Sequence, residues 1–410
     1  MVILIFIFLV FLLFRDYHKW TVVILALASL FMQFSMWMEQ DMFCYLTLVM
    51  VILFPFKSNI GFNQLKTFPL TVPILFVAIS LVTTNLFVDS THRHIPSSFL
   101  EICMMFNTYI FWCMWKEKPK ATLRIFIHTT ILFSLVLATY CIYEGISRQN
   151  PYIDFMNSNG YYPDVLFRDE IRNGIKRVQG FYSIYTTVSG LSLNFICIAL
   201  LALEKRLYYR NILIITVVLL FAMIFFTGMR SGVVSLCICL LMFMSRKYFK
   251  FKTFLLFALI IVAFVSLFGD FFQSFYESII HTDKVQGSSE EGRALQWEAA
   301  LIAFQNSSIY GNGIGYTFDE LIFWYPQLAG ADAVWMSLMI DRGILGILSY
   351  ILIMITCFKF CYRNNKRLFF YTAGVLCSQT IASVTDFPLY YVFIYIIIMN
   401  DMLNLKEKSK

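Results

Sequence analysis

Apolar runs of near-bilayer length recur from one end of this 410-residue chain to the other. They fall near residues 2–14, 20–37, 42–56, 67–88, 98–115, 123–145, 181–203, 211–226, 231–244, 254–271, 331–358, 369–385 and 388–403. A helix crossing a hydrocarbon core of about 30 Å needs about 20 residues. The shorter runs imply local thinning of the bilayer, little tilt, or re-entrant pairing. Only 14% of the residues are charged and 59% are hydrophobic, whereas soluble domains carry about 25% charged residues. A soluble core cannot hide so many uncharged helical stretches, and the alternating strands of about ten residues that a membrane barrel needs are absent. The expected fold class is all-α: a polytopic transmembrane helical bundle of about 12–13 spans, with a long extracytoplasmic loop that contains an amphipathic helix.

Lysine and arginine orient the bundle. Basic loops occur at Lys116–Arg124, Lys205–Arg210, Arg246–Lys252 and Lys359–Arg367, and the tail carries Lys406, Lys408 and Lys410. From residue 116 onward they mark every second loop, as a single cytoplasmic face requires. The C-terminus is therefore expected in the cytoplasm. Loops 146–180 and 272–330, the turn Thr227–Ser231 and the break at Asp386-Phe387-Pro388 fall together on the opposite face. This divides the chain into N-terminal transmembrane helices (1–145), a first exterior loop (146–180), central transmembrane helices (181–271), a large exterior loop (272–330), C-terminal transmembrane helices (331–403) and a cytoplasmic tail (404–410). The net charge of +7 follows from this bias and is not a nucleic-acid signal. Met1–Phe14 lacks a basic leader and a small-residue cleavage site, so it reads as a first span. No internal repeat supports the inverted architecture of many transporters.

The stretch from Phe272 to Gly346 holds most of the polar chemistry. Ser288 followed by Glu291 matches a capping box. After it, Arg293 to Phe304 reads as an amphipathic helix lying along the outer membrane surface. Leu295, Ala299, Ile302 and Ala303 are expected on one side, with Arg293, Gln296 and Glu298 elsewhere. Gly311, Gly313 and Gly315 then permit a tight return to the membrane.

Exterior arginines run against the charge bias, so each calls for a reason. Arg230, in Thr227-Gly-Met-Arg-Ser-Gly232, is either a snorkelling cation or an anion clamp, because a guanidinium fork matches phosphate oxygens. Arg172, Lys176 and Arg177 form a basic cluster at the lip of the span beginning at 181; the alternative is solvated loop charge balanced by Asp164, Asp169 and Glu170. Arg293 sits in the first turn of its helix, where the dipole disfavours a cation unless an external anion holds it. Together Arg177, Arg230 and Arg293 are candidates to surround a diphosphate. Asp332 opens the helix 331–358 and is either its cap or a base whose pKa is lifted by burial. Asp341 and Arg342 lie deeper, where ionisable residues are functional suspects, or they form an ion pair with a neighbouring helix.

Other signals are negative. Gly311-Asn-Gly-Ile-Gly-Tyr316 lacks both the dinucleotide spacing and a phosphate-loop lysine. No nucleophile elbow and no paired-histidine site is present. The ten cysteines lie almost all in apolar runs, and Cys237-Ile-Cys239 reads as helix filler. No metal and no cofactor is expected.

The order of these elements is familiar. Arg177-x-x-Gly180-Phe, then Thr-Gly-Met-Arg230-Ser-Gly, Arg293-x-x-x-Trp297, Gly311-x-Gly-x-Gly, Asp332-x-x-Trp335 and Gly343-Ile-Leu-Gly346 resemble the O-antigen ligase and polymerase superfamily of bacterial envelopes, over roughly residues 170–400. The resemblance implies a metal-independent glycosyltransferase of the bacterial cytoplasmic (inner) membrane. It would use an undecaprenyl-diphosphate-linked glycan at the extracytoplasmic face, with membrane lipids and a chain-length regulator as further partners. By motif position, Arg172, Arg177, Arg230 and Arg293 would bind the diphosphate, and Arg230 and Asp332 would be catalytic. Trp297, Trp335, Asp341 and Arg342 would contact sugar or acceptor. Ligases of this superfamily usually carry a histidine eleven residues before the Gly-Ile-Leu-Gly motif; here that residue is Asp332. The departure favours a polymerase of lipid-linked repeat units for O-antigen or capsule over a ligase. Outside the class, a transporter or flippase would need charged residues along a path through the helices, for which Glu101, Asp341 and Arg342 are the candidates.

Overall fold

The computed structural model describes residues 2–32, 42–89, 94–158, 171–172, 175–182, 185–244, 290–324, 334–381 and 389–405. The helices are α1 (Val2–Arg15), α2 (Tyr17–Ala26), α3 (Ala28–Phe31), α4 (Met42–Lys57), α5 (Thr71–Phe87), α6 (Ile95–Glu117), α7 (Pro119–Ser147), α8 (Pro151–Ser158), α9 (Tyr185–Lys205), α10 (Arg210–Phe226), α11 (Arg230–Met244), α12 (Glu290–Asn306), α13 (Ile322–Trp324), α14 (Val334–Asn364), α15 (Leu368–Ile381) and α16 (Leu389–Asn404). A 3₁₀ segment, Gly61–Thr67, follows α4, and a π-helical turn, Thr317–Leu321, precedes α13. Two short strands, β1 (Ile171–Arg172) and β2 (Ile175–Lys176), pair antiparallel. The fold is all-α apart from this ribbon.

The expected apolar runs are largely helical within the described residues, apart from short stretches such as 68–70 and 181–182; run 254–271 lies outside them. Among the described residues, α7, α9 and α14 are long and apolar enough to cross a membrane, and α4 with Gly61–Thr67 forms a further candidate bent by 104°. Six other apolar helices are shorter; a 17-residue helix such as α5 reaches about 25 Å and matches a thinned bilayer. Ile3, Leu4, Ile7, Phe8, Phe11 and Phe14 stand exposed along α1, and Val72, Leu75, Ile79, Val82 and Leu86 along α5. Such one-sided apolar stripes at helical spacing are what lipid-facing helices present. The chain is a multi-pass membrane protein.

The chain forms two compact units. The first comprises Met1–Thr130, Gln296–Asn364 and Ser383–Asn404; the second comprises Ile131–Leu295, Asn365–Ala382 and Leu405–Lys410. This division draws the N-terminal helices and the segment after 296 into one body, which the linear order of the spans does not suggest.

In the first unit α16 is the hub and is buried along nearly its whole length. Phe393 meets Phe68, Trp112 and Phe360. Asn107 Nδ2 on α6 donates to Thr47 Oγ1 and to the Tyr391 hydroxyl, joining α4, α6 and α16 through a buried polar contact. In the second unit α9 plays the same part, with 89% of its span buried. The Tyr371 hydroxyl of α15 donates to Asn194 Oδ1 on α9, and Arg367 pairs with Glu204 at 3.3 Å. A helix apolar on every side belongs at the centre of its bundle, and both hubs obey that rule.

One expectation needs correction. Sequence periodicity gives a single span over 331–358, but α14 breaks at Gly343, whose backbone has φ 60° and ψ −151°. That region is essentially open only to glycine. The break is a reversal. The rings of Trp335 and Tyr350 lie 4.6 Å apart, whereas 15 residues of straight helix would separate them by about 22 Å. A Cβ on Gly346 would stand 3.0 Å from the Leu338 carbonyl oxygen on the opposing arm. Residues 334–342 and 344–364 are thus two arms of a hairpin. The second arm alone, at about 31 Å, is long enough to cross a bilayer.

Candidate active site

In the second unit two of the arginine motifs, those of Arg177 and Arg230, are brought together. Arg177 is 5% exposed. Its Nε donates to the Thr227 carbonyl at 3.0 Å and Nη2 to the Gly228 carbonyl at 3.2 Å. Its guanidinium lies 3.5 Å from the centroid of the Tyr185 ring, a cation–π stack. The backbone runs alongside, with Val178 N donating to the Phe226 carbonyl at 3.2 Å. Gly228 turns the chain with φ +62°, and Arg230 is the first residue of α11. Arg177 thereby grips the turn that leads into Arg230, which is half-buried. The first turn of a helix has N–H groups with no intrahelical acceptor, so the start of α11, which also carries a guanidinium, favours an anion. Met229 is buried at 4% exposure and fills space.

The first unit holds the other half of the motif set. The α14 reversal leaves backbone groups without helical partners, and the glycine loop supplies them. Ile344 N and Leu345 N donate to the carbonyls of Ser308 and Ile309 at 2.8 and 3.3 Å. Asn312 N and Gly313 N donate to the carbonyls of Ile340 and Asp341 at 2.9 and 3.2 Å. Asn312 Nδ2 adds bonds to Ala303 O and Ile340 O. Non-helical backbone at a membrane protein's core is tolerated where protein groups satisfy it, and these do. The glycines are what let the backbones approach. A Cβ on Gly311 would strike the backbone of Asp341 and Arg342, and one on Gly343 would sit 2.6 Å from Ser308 O. Gly311 and Gly313 both hold positive φ.

Asp341 clasps this junction. Its Oδ1 accepts from Thr317 N at 2.9 Å and Thr317 Oγ1 at 2.6 Å, and Oδ2 accepts from Gly315 N at 3.2 Å. Its neighbour Arg342 turns the other way and pairs with Glu101 of α6 at 2.5 Å. The ion-pair alternative for Arg342 is therefore what the structure shows, and Asp341 holds a loop. Ala299, Ala300 and Ala303 of α12 pack on Met336, Met339 and Ile340 of the first arm. Tyr316 packs against this cluster; burial, with the Glu320 carboxylate adding, raises its phenol above the ordinary range.

The remaining candidates divide. Trp335 packs on Tyr350 within the hairpin, while Trp297 is 42% exposed on α12. The α12 face departs from expectation: Ala299 and Ala303 are buried as predicted, but Leu295 and Ile302 point outward at 50% and 42% exposure, and Gln296 is inside. Arg172 lies on β1 and Arg293 in the first turn of α12. Asp332, Ser288 and Asp386 lie outside the described residues. Among those described, no cluster of histidine, cysteine and acid suited to a metal occurs.

The residues of both motif sets fall largely within one stretch that also matches a known family model, described as O-Antigen ligase, over residues 215–351. Over residues 215–351 the chain is similar to the O-antigen ligase family. The match takes in the Arg230 turn, α12, the glycine loop and the α14 reversal, and it bears out the superfamily resemblance. The activity class of this family is glycosyltransferase-like, of ligase or polymerase type, and such proteins handle lipid-linked glycans. No curated protein matches the chain. Sequence reasoning passed over two groups that the O-antigen ligase segment and its surroundings depend on. Thr317 takes both contacts to Asp341 Oδ1, and Glu144, an acid at the end of the apolar run 123–145, is fully buried.

Proposed function

We propose that the protein is a polymerase of undecaprenyl-diphosphate-linked repeat units for a bacterial surface polysaccharide, acting at the extracytoplasmic face of the inner membrane. The family match running from the Arg230 turn to the Gly343 reversal supports the ligase or polymerase class, and Asp332, standing where ligases carry histidine, carries the choice of polymerase. In the reaction, an acceptor hydroxyl oxygen on one lipid-linked unit attacks the anomeric carbon of the other. The anomeric C–O bond to the diphosphate breaks and its electron pair leaves on the phosphate oxygen. Asp332 takes the hydroxyl proton. The departing diphosphate gains charge in the transition state, so guanidinium groups at that point lower the barrier more than they tighten ground-state binding. Arg177 and Arg230 serve this role, with Arg172 and Arg293 assigned to it by motif position. Trp297 and Trp335 are assigned to sugar contact. Within the first unit Asp341 holds the glycine loop and Arg342 pairs with α6.

The family model's description favours a second reading, a ligase using the same donor and a different acceptor. The absence of histidine at position 332 favours the polymerase. A transporter reading loses support, because Glu101, Asp341 and Arg342 are engaged with one another's surroundings. Gel analysis of surface polysaccharide in a deletion strain separates the readings. Collapse of the ladder to a single repeat unit supports the polymerase. Long chains left on the lipid carrier support the ligase. An unchanged profile contradicts both.

A further inference from the structure

The Arg177 turn is held from behind by a carboxylate. Glu144 lies in the last turn of α7 and is 0% exposed. Its Oε2 accepts from Gly180 N at 2.7 Å and Gln179 N at 3.2 Å. Asn150 completes the clasp: its Nδ2 donates to Gly180 O at 2.8 Å, and its Oδ1 accepts from the Tyr140 hydroxyl at 2.7 Å. Gly180 adopts φ +62°, and a Cβ there would meet Cys141 Sγ at 2.8 Å. Phe181 stacks on Tyr140 at 4.5 Å. Every residue from 178 to 181 is thus fixed, and Arg177 stands one residue before them.

A carboxylate in this place works against stability. Burying a charge is costly, and the C-terminal turn of a helix disfavours a negative one. The Glu144 Oε1 is buried without a hydrogen-bond partner. An unpaired charged oxygen calls for an explanation, and the two amides on Oε2 supply it, since a charged acceptor binds N–H groups about twice as strongly as a neutral one.

We propose that Glu144 is a positioning residue for the donor diphosphate, holding the Val178–Gly180 turn so that Arg177 is presented beside the turn leading to Arg230. The proposal rests on the reading of Arg177 as a diphosphate ligand. It places Glu144 one step removed from the substrate, acting through two backbone amides.

The test is the affinity of the purified full-length protein for undecaprenyl diphosphate, measured in detergent. Wild type binds it, and Arg177→Ala weakens binding about tenfold or more. Glu144→Leu, which leaves both amides unpaired, weakens it to the same extent, and the double variant Glu144→Leu/Arg177→Ala is no weaker than either single one. Glu144→Gln keeps one acceptor oxygen at the same reach and stays within about threefold of wild type. If Glu144→Leu does not fold, Asn150→Ala, which opens the other side of the clasp, is read the same way. Full additivity in the double variant, or wild-type affinity in Glu144→Leu and Asn150→Ala, overturns the proposal while leaving the donor reading intact. Wild-type affinity in Arg177→Ala overturns both.

Discussion

Gly343 makes the reversal of α14 possible. Its backbone angles exclude a side chain, and its neighbours exclude a Cβ. Gly343→Ala is expected to lose about 1–3 kcal/mol from backbone strain, with the displaced 308–309 backbone adding to it. The measurement is thermal unfolding in detergent, and an unchanged midpoint contradicts the assignment. The Arg342–Glu101 pair makes a second residue-scale prediction. Its side chains are 14% and 21% exposed, so removing either alone costs about 3 kcal/mol. The double variant Arg342→Met/Glu101→Met is expected to recover most of that; additive losses would mean the two groups do not interact. The sequence showed these residues as a Gly-Ile-Leu-Gly motif and a pair of deep charges. It did not show why Gly343 is required, because the contacts that demand glycine there come from Ser308 and Ile309, over thirty positions away in the chain.

At the scale of elements, apolar runs map onto helices with little ambiguity, since length and hydropathy decide them. Orientation about a helix axis is another matter. In α12 the sequence reading placed large and small apolar residues on one face, and the structure separates them. Against protein, small residues allow close helix approach, while bulky apolar side chains lose nothing by facing lipid. Hydrophobicity alone therefore does not tell inside from outside near a membrane. The α14 reversal was also hidden, because a glycine within an apolar helical pattern reads as continuous helix. It makes a direct prediction. In a background free of other cysteines, Trp335→Cys/Tyr350→Cys is expected to cross-link readily with a short bifunctional reagent. A straight helix would hold the two sites about 22 Å apart and give no cross-link.

For the whole molecule, composition and the length of the apolar runs made a multi-pass helical membrane protein legible, and motif order made the likeness to the O-antigen ligase family legible. The pairing of N-terminal helices with the segment after 296 was not, because packing partners distant in sequence leave no periodic trace. The convergence of Arg177 on the Thr227–Arg230 turn is likewise visible only in three dimensions. In the proposed reaction this chain joins lipid-linked repeat units. Reconstitution of the purified protein in liposomes, with the lipid-linked repeat unit as sole substrate, tests it most directly. The expected products are integer multiples of the repeat unit, with one undecaprenyl diphosphate released per linkage, and both are lost with Arg230→Ala. Unchanged substrate with wild-type protein, or multimers formed equally well by Arg230→Ala, would contradict it.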